Sequence, residues 1–179
     1  MKKYLTFTSR AAVAAILSAG LCLASAANAA DAKSDSDTKA KSKLSANDKK
    51  FVKKAYRGGM EEVENGKVAK DKAKNDATKD VADHMITDHS KANDDLAAIA
   101  KEENLDLSKI QVKAMTFSSD KDYLTMLKKD HEKDIAEFEK EANDTASGED
   151  SDVKEFAKKT LPTLKDHLKM IEDALAKVQ

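Results

Sequence analysis

Residues 81–99 read VADHMITDHSKANDDLAAI, and their apolar side chains recur at intervals of three and four residues. The recurring positions are Val81, Met85, His89, Ala92, Leu96 and Ile99. This interval brings side chains onto one face of an α-helix, so the stretch predicts an amphipathic helix with one buried stripe. A histidine occupies the middle of that stripe.

Three further segments carry the same periodicity. Their stripes are Ala55, Gly59, Glu62, Gly66, Ala69 and Ala73 in helix one; Tyr123, Leu127, His131, Ile135, Phe138 and Ala142 in helix three; and Val153, Phe156, Thr160, Leu164, His167, Ile171 and Leu175 in helix four. Two capping boxes, Ser45-x-x-Asp48 and Ser119-x-x-Asp122, predict where helices one and three begin. The sequence therefore predicts four amphipathic helices.

The connections between these helices differ in length. Helix one is expected to end near Lys74, before a cap at Asn75-Asp76, so helices one and two form an antiparallel hairpin. Residues 104–119 are long enough to cross from one end of a bundle to the other. This pattern predicts an all-α fold over residues 45–179: a ferritin-like antiparallel four-helix bundle with a longer middle connection.

Three finer features are expected within this bundle. A short helical turn is expected at residues 110–115 of the long connection. Residues 145–150 are rich in turn-forming side chains and predict the turn before helix four. Pro162 lies inside helix four and is expected to kink or split it, because proline lacks the backbone N–H that a helix needs.

The N-terminal region predicts export. Residues 1–29 combine a basic start, an apolar stretch and small residues before Ala29, as a cleavable signal peptide does. Residues 30–44 lack periodicity and predict a disordered linker. Lipid attachment at Cys22, the only cysteine, is disfavoured because Leu21 precedes it. The mature chain would then lie in the periplasm, without cysteine for a disulfide or a thiolate metal site.

Composition excludes several other functions. Charged residues make up 36% of the chain, but basic and acidic residues alternate, with a net charge of -1. Because no basic stripe is present, nucleic acid is not an expected partner. The sequence offers no phosphate-binding glycine loop, no haem-attachment motif and no membrane-spanning segment after signal cleavage. The sequence contains no motif that predicts a particular protein partner, and it predicts neither the presence nor the absence of enzymatic activity.

One ionisable side chain lies in the stripe of each helix: Glu62, His89, His131 and His167. Counted from the turns, the members of each hairpin lie at about the same height, since each residue adds about 1.5 Å along the axis. Three imidazoles and a carboxylate predict a site for one transition-metal ion, such as Zn, Fe, Cu or Mn. The alternative is a buried Glu–His hydrogen-bond network that fixes the register of the helices.

The remaining histidine and the aspartates have simpler interpretations. His84 lies on a polar face and is expected to be solvated. An aspartate precedes every histidine, at Asp83, Asp88, Asp130 and Asp166. Each of these aspartates either orients a histidine on a neighbouring helix or is simply solvated. The di-iron pattern of Glu-x-x-His pairs is absent from the sequence, which argues against a paired-iron oxidase.

The chain resembles a bacterial family of exported proteins of unknown function, often labelled "predicted outer membrane protein". The resemblance spans about Asp48 to Val178 and rests on four runs: Glu62–Ala69, Met85–Asn93, Tyr123–His131 and Leu161–Leu168. It implies a ferritin-like periplasmic bundle whose motif residues fall on Glu62, His89, His131 and His167. No lipobox or barrel-strand pattern accompanies the outer-membrane label.

Two functional hypotheses follow. The first is a periplasmic bundle that binds one transition-metal ion. The second is a non-enzymatic envelope or stress-related protein whose buried Glu–His network is structural. A third and weaker interpretation is self-association through the small side chains of helix one.

Overall fold

The computed structural model describes residues 43–145 and 151–178. The expected signal peptide, nearly all of the expected linker and most of the expected turn at 145–150 lie outside these residues. The described residues form four α-helices: α1 (Ala46–Lys72), α2 (Asp76–Glu102), α3 (Asp120–Ala142) and α4 (Asp152–Leu175). The predicted all-α four-helix bundle is confirmed.

Local sequence signals set most of the helix ends. The capping box at Ser45 is complete, with the Ser45 hydroxyl and the Asp48 carboxylate each accepting from the other's backbone N–H. The Asn75 side chain caps α2, and the Ser119 hydroxyl caps α3. After α2 ends, the backbone turns at Asn104, whose φ of 54° belongs to a left-handed C-terminal turn. These caps satisfy backbone groups that have no partner within the helix.

The long connection crosses the whole bundle. At one end, the Glu103 carboxylate accepts from the backbone N–H of Lys43, 2.6 Å away. At the other end, the Asp120 carboxylate accepts from the backbone N–H groups of Lys74 and Asn75. α2 therefore ends where α1 begins, and α3 begins where α1 ends. α2 and α3 run in the same direction, which is the connectivity of ferritin-like bundles with one crossover.

The helical turn expected at residues 110–115 is wrong, because that stretch is irregular. The connection must run beside α1, whose 27 residues extend about 40 Å. Sixteen helical residues would reach only about 24 Å, whereas extended ones reach about 50 Å. The span therefore requires an extended chain, held midway where the backbone N–H of Met115 donates to the Asn65 side chain over 2.7 Å.

Pro162 does not split α4, which is continuous through it. Proline removes the hydrogen bond that its N–H would donate to the carbonyl of Lys158, four residues earlier. Both residues lie on the exposed face of α4, where water can hydrate that carbonyl. The cost of the missing bond is therefore small enough for the helix to continue.

The core consists of two apolar clusters. The first, which we call the upper cluster, lies near the Ser45 end and contains Val52, Leu96, Ala100, Phe138, Ala142, Val153, Phe156, Ala157 and Leu164. The second, the lower cluster, lies near the Asn75 end and contains Ala69, Val81, Ala82, Met85, Tyr123, Leu124, Leu127, Ile171 and Ala174. Between them the helices bring four polar side chains to one level, and these form the candidate site.

Candidate metal centre

The structure brings together all four side chains that the sequence singled out. Glu62, His89, His131 and His167 come from the middle turns of α1, α2, α3 and α4. Their exposed fractions are 5%, 7%, 0% and 2%, so all four are buried. We call this group the histidine layer. Its position confirms the expectation that both hairpins place their polar groups at one height.

The three histidines form a compact triangle. One ring nitrogen from each of His89, His131 and His167 can be chosen so that all three lie within 4.8 Å of one another. The ring centroids are separated by 5.4–5.6 Å. This arrangement has the size and donor type of a site that could hold one metal ion.

Hydrogen bonds on the outer side of two rings fix which nitrogens face inward. His131 Nδ1 lies 3.1 Å from the carbonyl of Leu127, and His167 Nε2 lies 2.9 Å from the carboxylate of Asp88. Carbonyl and carboxylate oxygens accept hydrogen bonds, so both ring nitrogens donate. In neutral rings, His131 Nε2 and His167 Nδ1 therefore carry lone pairs.

Those two lone-pair nitrogens face each other across 3.3 Å. Two nitrogens that both lack a proton cannot form a hydrogen bond with each other. Two nitrogens bound to one tetrahedral ion at about 2.05 Å each would lie about 3.4 Å apart. The spacing therefore fits two ligands of one ion. The outer bonds from Leu127 and Asp88 are the kind that orient metal-binding histidines.

Glu62 contacts two of the three histidines. Its Oε2 lies 2.6 Å from His89 Nε2, and its Oε1 lies 3.3 Å from His131 Nδ1. Neither contact has hydrogen-bond geometry, and among the described residues both Glu62 oxygens and His89 Nε2 are buried without a hydrogen-bond partner. Glu62 lies outside the compact triangle. Its carboxylate therefore lies outside the triangle, beside His89 and the outer nitrogen of His131.

The four groups do not share one protonation state. Burial, the largest single effect, raises the pKa of Glu62, but His89, His131 and His167 together outweigh it and the Glu62 pKa is lowered. Burial is also the largest single effect on His89, but the carboxylates of Glu62, Asp134 and Asp88 together outweigh it and the His89 pKa is raised. Burial lowers the pKa of His131, and it lowers that of His167 to about 4. These shifts favour a charged Glu62–His89 pair beside two neutral imidazoles, and the neutral imidazole is the form that binds metals.

Only one of the four aspartates that precede histidines contacts a histidine of the layer. Asp88 reaches across from α2 to His167 on α4, as one interpretation of the sequence expected. Asp83 instead pairs with Lys70, and Asp130 and Asp166 are exposed. His84, with 54% of its side chain exposed, is solvated as predicted.

The sequence did not indicate Asp134, which lies near the layer. It lines a cavity of about 30 Å³ together with His89, and it is partly buried. Burial, reinforced by the charges of Glu62 and Glu137, raises the pKa of Asp134 to about 7. A spacing of three residues from His131 places the two on neighbouring parts of one helical face. That spacing was the signal that could have identified it.

A buried pair of carboxyl side chains was also not predicted from the sequence. Asp48 of α1 and Glu141 of α3 are 3% and 6% exposed and lie at the Ser45 end of the bundle. Burial and a hydrogen bond with Asp48 raise the pKa of Glu141 to about 7. Asp48 was recognised only as part of a capping box, because its second role depends on a residue 93 positions away.

None of the helices in the described residues has the length and apolar content needed to cross a bilayer. Residues 33–174 match the model of a family described as a domain of unknown function (DUF4142), which covers most of the chain. That description gives no support to an outer-membrane label. No curated protein and no solved structure matches the chain at a significant level.

Proposed function

We propose that this chain, which belongs to the family described as a domain of unknown function (DUF4142), binds one transition-metal ion in its histidine layer. The ligands would be His89, His131 and His167, with Glu62 as the fourth. The observation that carries the proposal is the triangle of buried ring nitrogens within 4.8 Å of one another. The outer hydrogen bonds of His131 and His167 support it, because they leave lone pairs facing inward.

The donor set narrows the class of ion. Three imidazoles and one carboxylate suit Zn, Fe, Cu or Mn, and these residue types do not choose among them. Glu62 would offset part of the ion's charge in a buried site, where an uncompensated charge is costly. Metal binding would require loss of a proton from charged His89, so uptake of the ion should release protons.

The proposed location is the periplasm, which rests on the signal-peptide pattern of residues 1–29. In that compartment the protein would meet metal ions outside the reducing cytoplasm. A site built from imidazole and carboxylate, without thiolate, contains no ligand that oxidises to a disulfide.

Elemental analysis of the exported mature protein tests the proposal. The protein should be purified without a histidine tag or a chelator, beside His131→Ala and the matched control His84→Ala. We expect near one equivalent of a single transition metal in the wild type and in His84→Ala, and none in His131→Ala. Equal metal content in all three proteins would place any bound ion outside the histidine layer.

A second candidate is a non-enzymatic envelope or stress-related protein with a structural Glu–His network. The 2.6 Å contact between Glu62 and His89 favours it, because this pair is balanced in charge without an ion. It predicts that His131→Ala lowers stability while no protein contains metal, even after reconstitution with Zn, Cu, Fe and Mn. That result would eliminate the metal proposal.

A further inference from the structure

A small cavity lies against the outer edge of the histidine layer. It has a volume of about 30 Å³ and is bounded by His89 on its inner side. Small side chains of α1 and α2 form part of its wall, including Ala55, Gly58 and Ala92. Lys54 and Glu137, which form an ion pair between α1 and α3, lie at the exposed rim.

The cavity is on the most accessible side of the layer. Among the four proposed ligands, His89 alone lines it. His89 is also the most exposed of the three histidines at 7%, against 0% for His131 and 2% for His167. A molecule that approached a metal ion in the layer from this cavity would therefore arrive beside His89 and Glu62.

The volume limits what the cavity can hold. One water molecule needs a volume of about 10–15 Å³ on this measure, so about 30 Å³ holds two waters or one molecule of two heavy atoms. Asp134 and Thr160 are among the lining residues. The Asp134 carboxyl can form hydrogen bonds, and the Thr160 hydroxyl, which already donates to the Phe156 carbonyl, can accept one. An apolar gas cannot form hydrogen bonds with these groups, whereas a small molecule with polar atoms can.

We propose that this cavity is the entry and binding site for a neutral, hydrogen-bonding ligand of one or two heavy atoms, such as water or hydrogen peroxide. The ligand would lie beside His89, next to the proposed metal site, with Asp134 as its hydrogen-bonding partner. This inference rests on the proposed metal site and adds the class of molecule that the site admits.

Gly58 provides a way to close the cavity without disturbing the layer. A Cβ added at Gly58 meets no heavy atom within 4 Å, so the position has room for a side chain. At Gly59, by contrast, a Cβ would come within 2.4 Å of the Asn93 side chain. Because Gly58 lines the cavity, the longer side chain of Gly58→Leu can reach into it, and Gly58→Ala is the matched control, since both replace a helical glycine.

The test uses the full mature protein loaded with Co(II), whose visible absorption reports its coordination. Two probes are titrated at pH 8: cyanide, present mainly as the neutral two-heavy-atom acid, and imidazole, a ring that is mainly neutral at this pH and too large for the cavity. Cobalt content is measured before and after each titration. Ala55→Leu is a second filling variant, in case Gly58→Leu folds poorly.

We expect cyanide to change the cobalt spectrum in the wild type and in Gly58→Ala, with at least tenfold weaker binding in Gly58→Leu and no response to imidazole. Equal cyanide affinity in Gly58→Leu and Gly58→Ala, at unchanged cobalt content, would overturn the entry route but leave the metal site intact. Imidazole binding as tight as that of cyanide would overturn the size limit. Failure of the wild type to take up cobalt would overturn both the inference and the proposed function.

Discussion

Leu127 and His131 lie one turn apart on α3 and are both 0% exposed, but the structure holds them in different ways. Leu127 belongs to the lower apolar cluster, where it needs only neighbours of suitable volume. His131 belongs to the histidine layer, where one ring nitrogen bonds the Leu127 carbonyl and the other faces His167. Two equally buried side chains can therefore have different roles: Leu127 fills space in the core, whereas the ring of His131 makes directional contacts.

Removal of the proposed metal ion should have the largest effect on the difference between Leu127 and His131. An ion that binds only the folded state adds about 4 kcal/mol when its free concentration is a thousand times the dissociation constant. A chelator should therefore lower the urea midpoint of the wild type but leave that of His131→Ala unchanged. Equal chelator effects on the two proteins would show that the histidine layer gains nothing from metal.

Leu127→Ala should remove stability without removing metal. Truncation of a fully buried leucine costs about 2–5 kcal/mol, through lost burial and the cavity that remains. We expect this loss with and without chelator, together with wild-type metal content by elemental analysis. Loss of metal in Leu127→Ala would mean that the layer depends on packing as well as on its own ligands.

Glu141→Gln tests whether a buried carboxyl group at the Ser45 end of the bundle makes the stability of the protein depend on pH. The pKa of Glu141 is raised from 4.5 to about 7, so the folded state binds more protons than the unfolded state between these values. The contribution of Glu141 to the free energy of unfolding is fully present below pH 4.5 and is lost as the pH rises through about 7.

The size of this loss is on the order of 3 kcal/mol, since the pKa rises from 4.5 to about 7 and each pKa unit corresponds to about 1.4 kcal/mol. Urea unfolding at pH 5 and pH 8 should therefore show a decrease in wild-type stability that is smaller in Glu141→Gln. An identical pH dependence in the two proteins would exclude Glu141 as its source.

Asp88→Asn should have the smallest effect and should act on affinity alone. Loss of the carboxylate that orients a ligating histidine typically weakens metal binding about 10- to 100-fold. Competition with a chromophoric chelator would measure this change, with Asp83→Asn as the control on the same helix. The stability of the metal-free protein should change little, because Asp88 is partly exposed. Equal affinities in the two variants would exclude Asp88 from the site.

Helical periodicity was enough to predict the four helices and the four members of the histidine layer. The reason is local: a side chain's position on a helix face depends on residue spacing alone, so His89 could be placed beside Met85 without knowledge of other helices. Capping at Ser45, Asn75 and Ser119 was predictable for the same reason, since each cap involves residues two or three positions apart.

Contacts between helices were predicted less well. Asp88 was one of four equivalent aspartates in the sequence, and only the packing of α2 against α4 selects it as the partner of His167. Asp134 and Glu141 gained raised pKa values from burial and from charges on other helices. No residue spacing within one helix reports such an environment.

The sequence by itself determined the helices, their buried stripes and which polar side chains point into the bundle, because these depend on intervals of three and four residues along one chain. Tertiary structure alone decided that residues 105–119 are irregular rather than helical, because they must run along the length of α1. It also decided which nitrogens of His131 and His167 face each other, because their tautomers are set by hydrogen bonds made after the helices have packed.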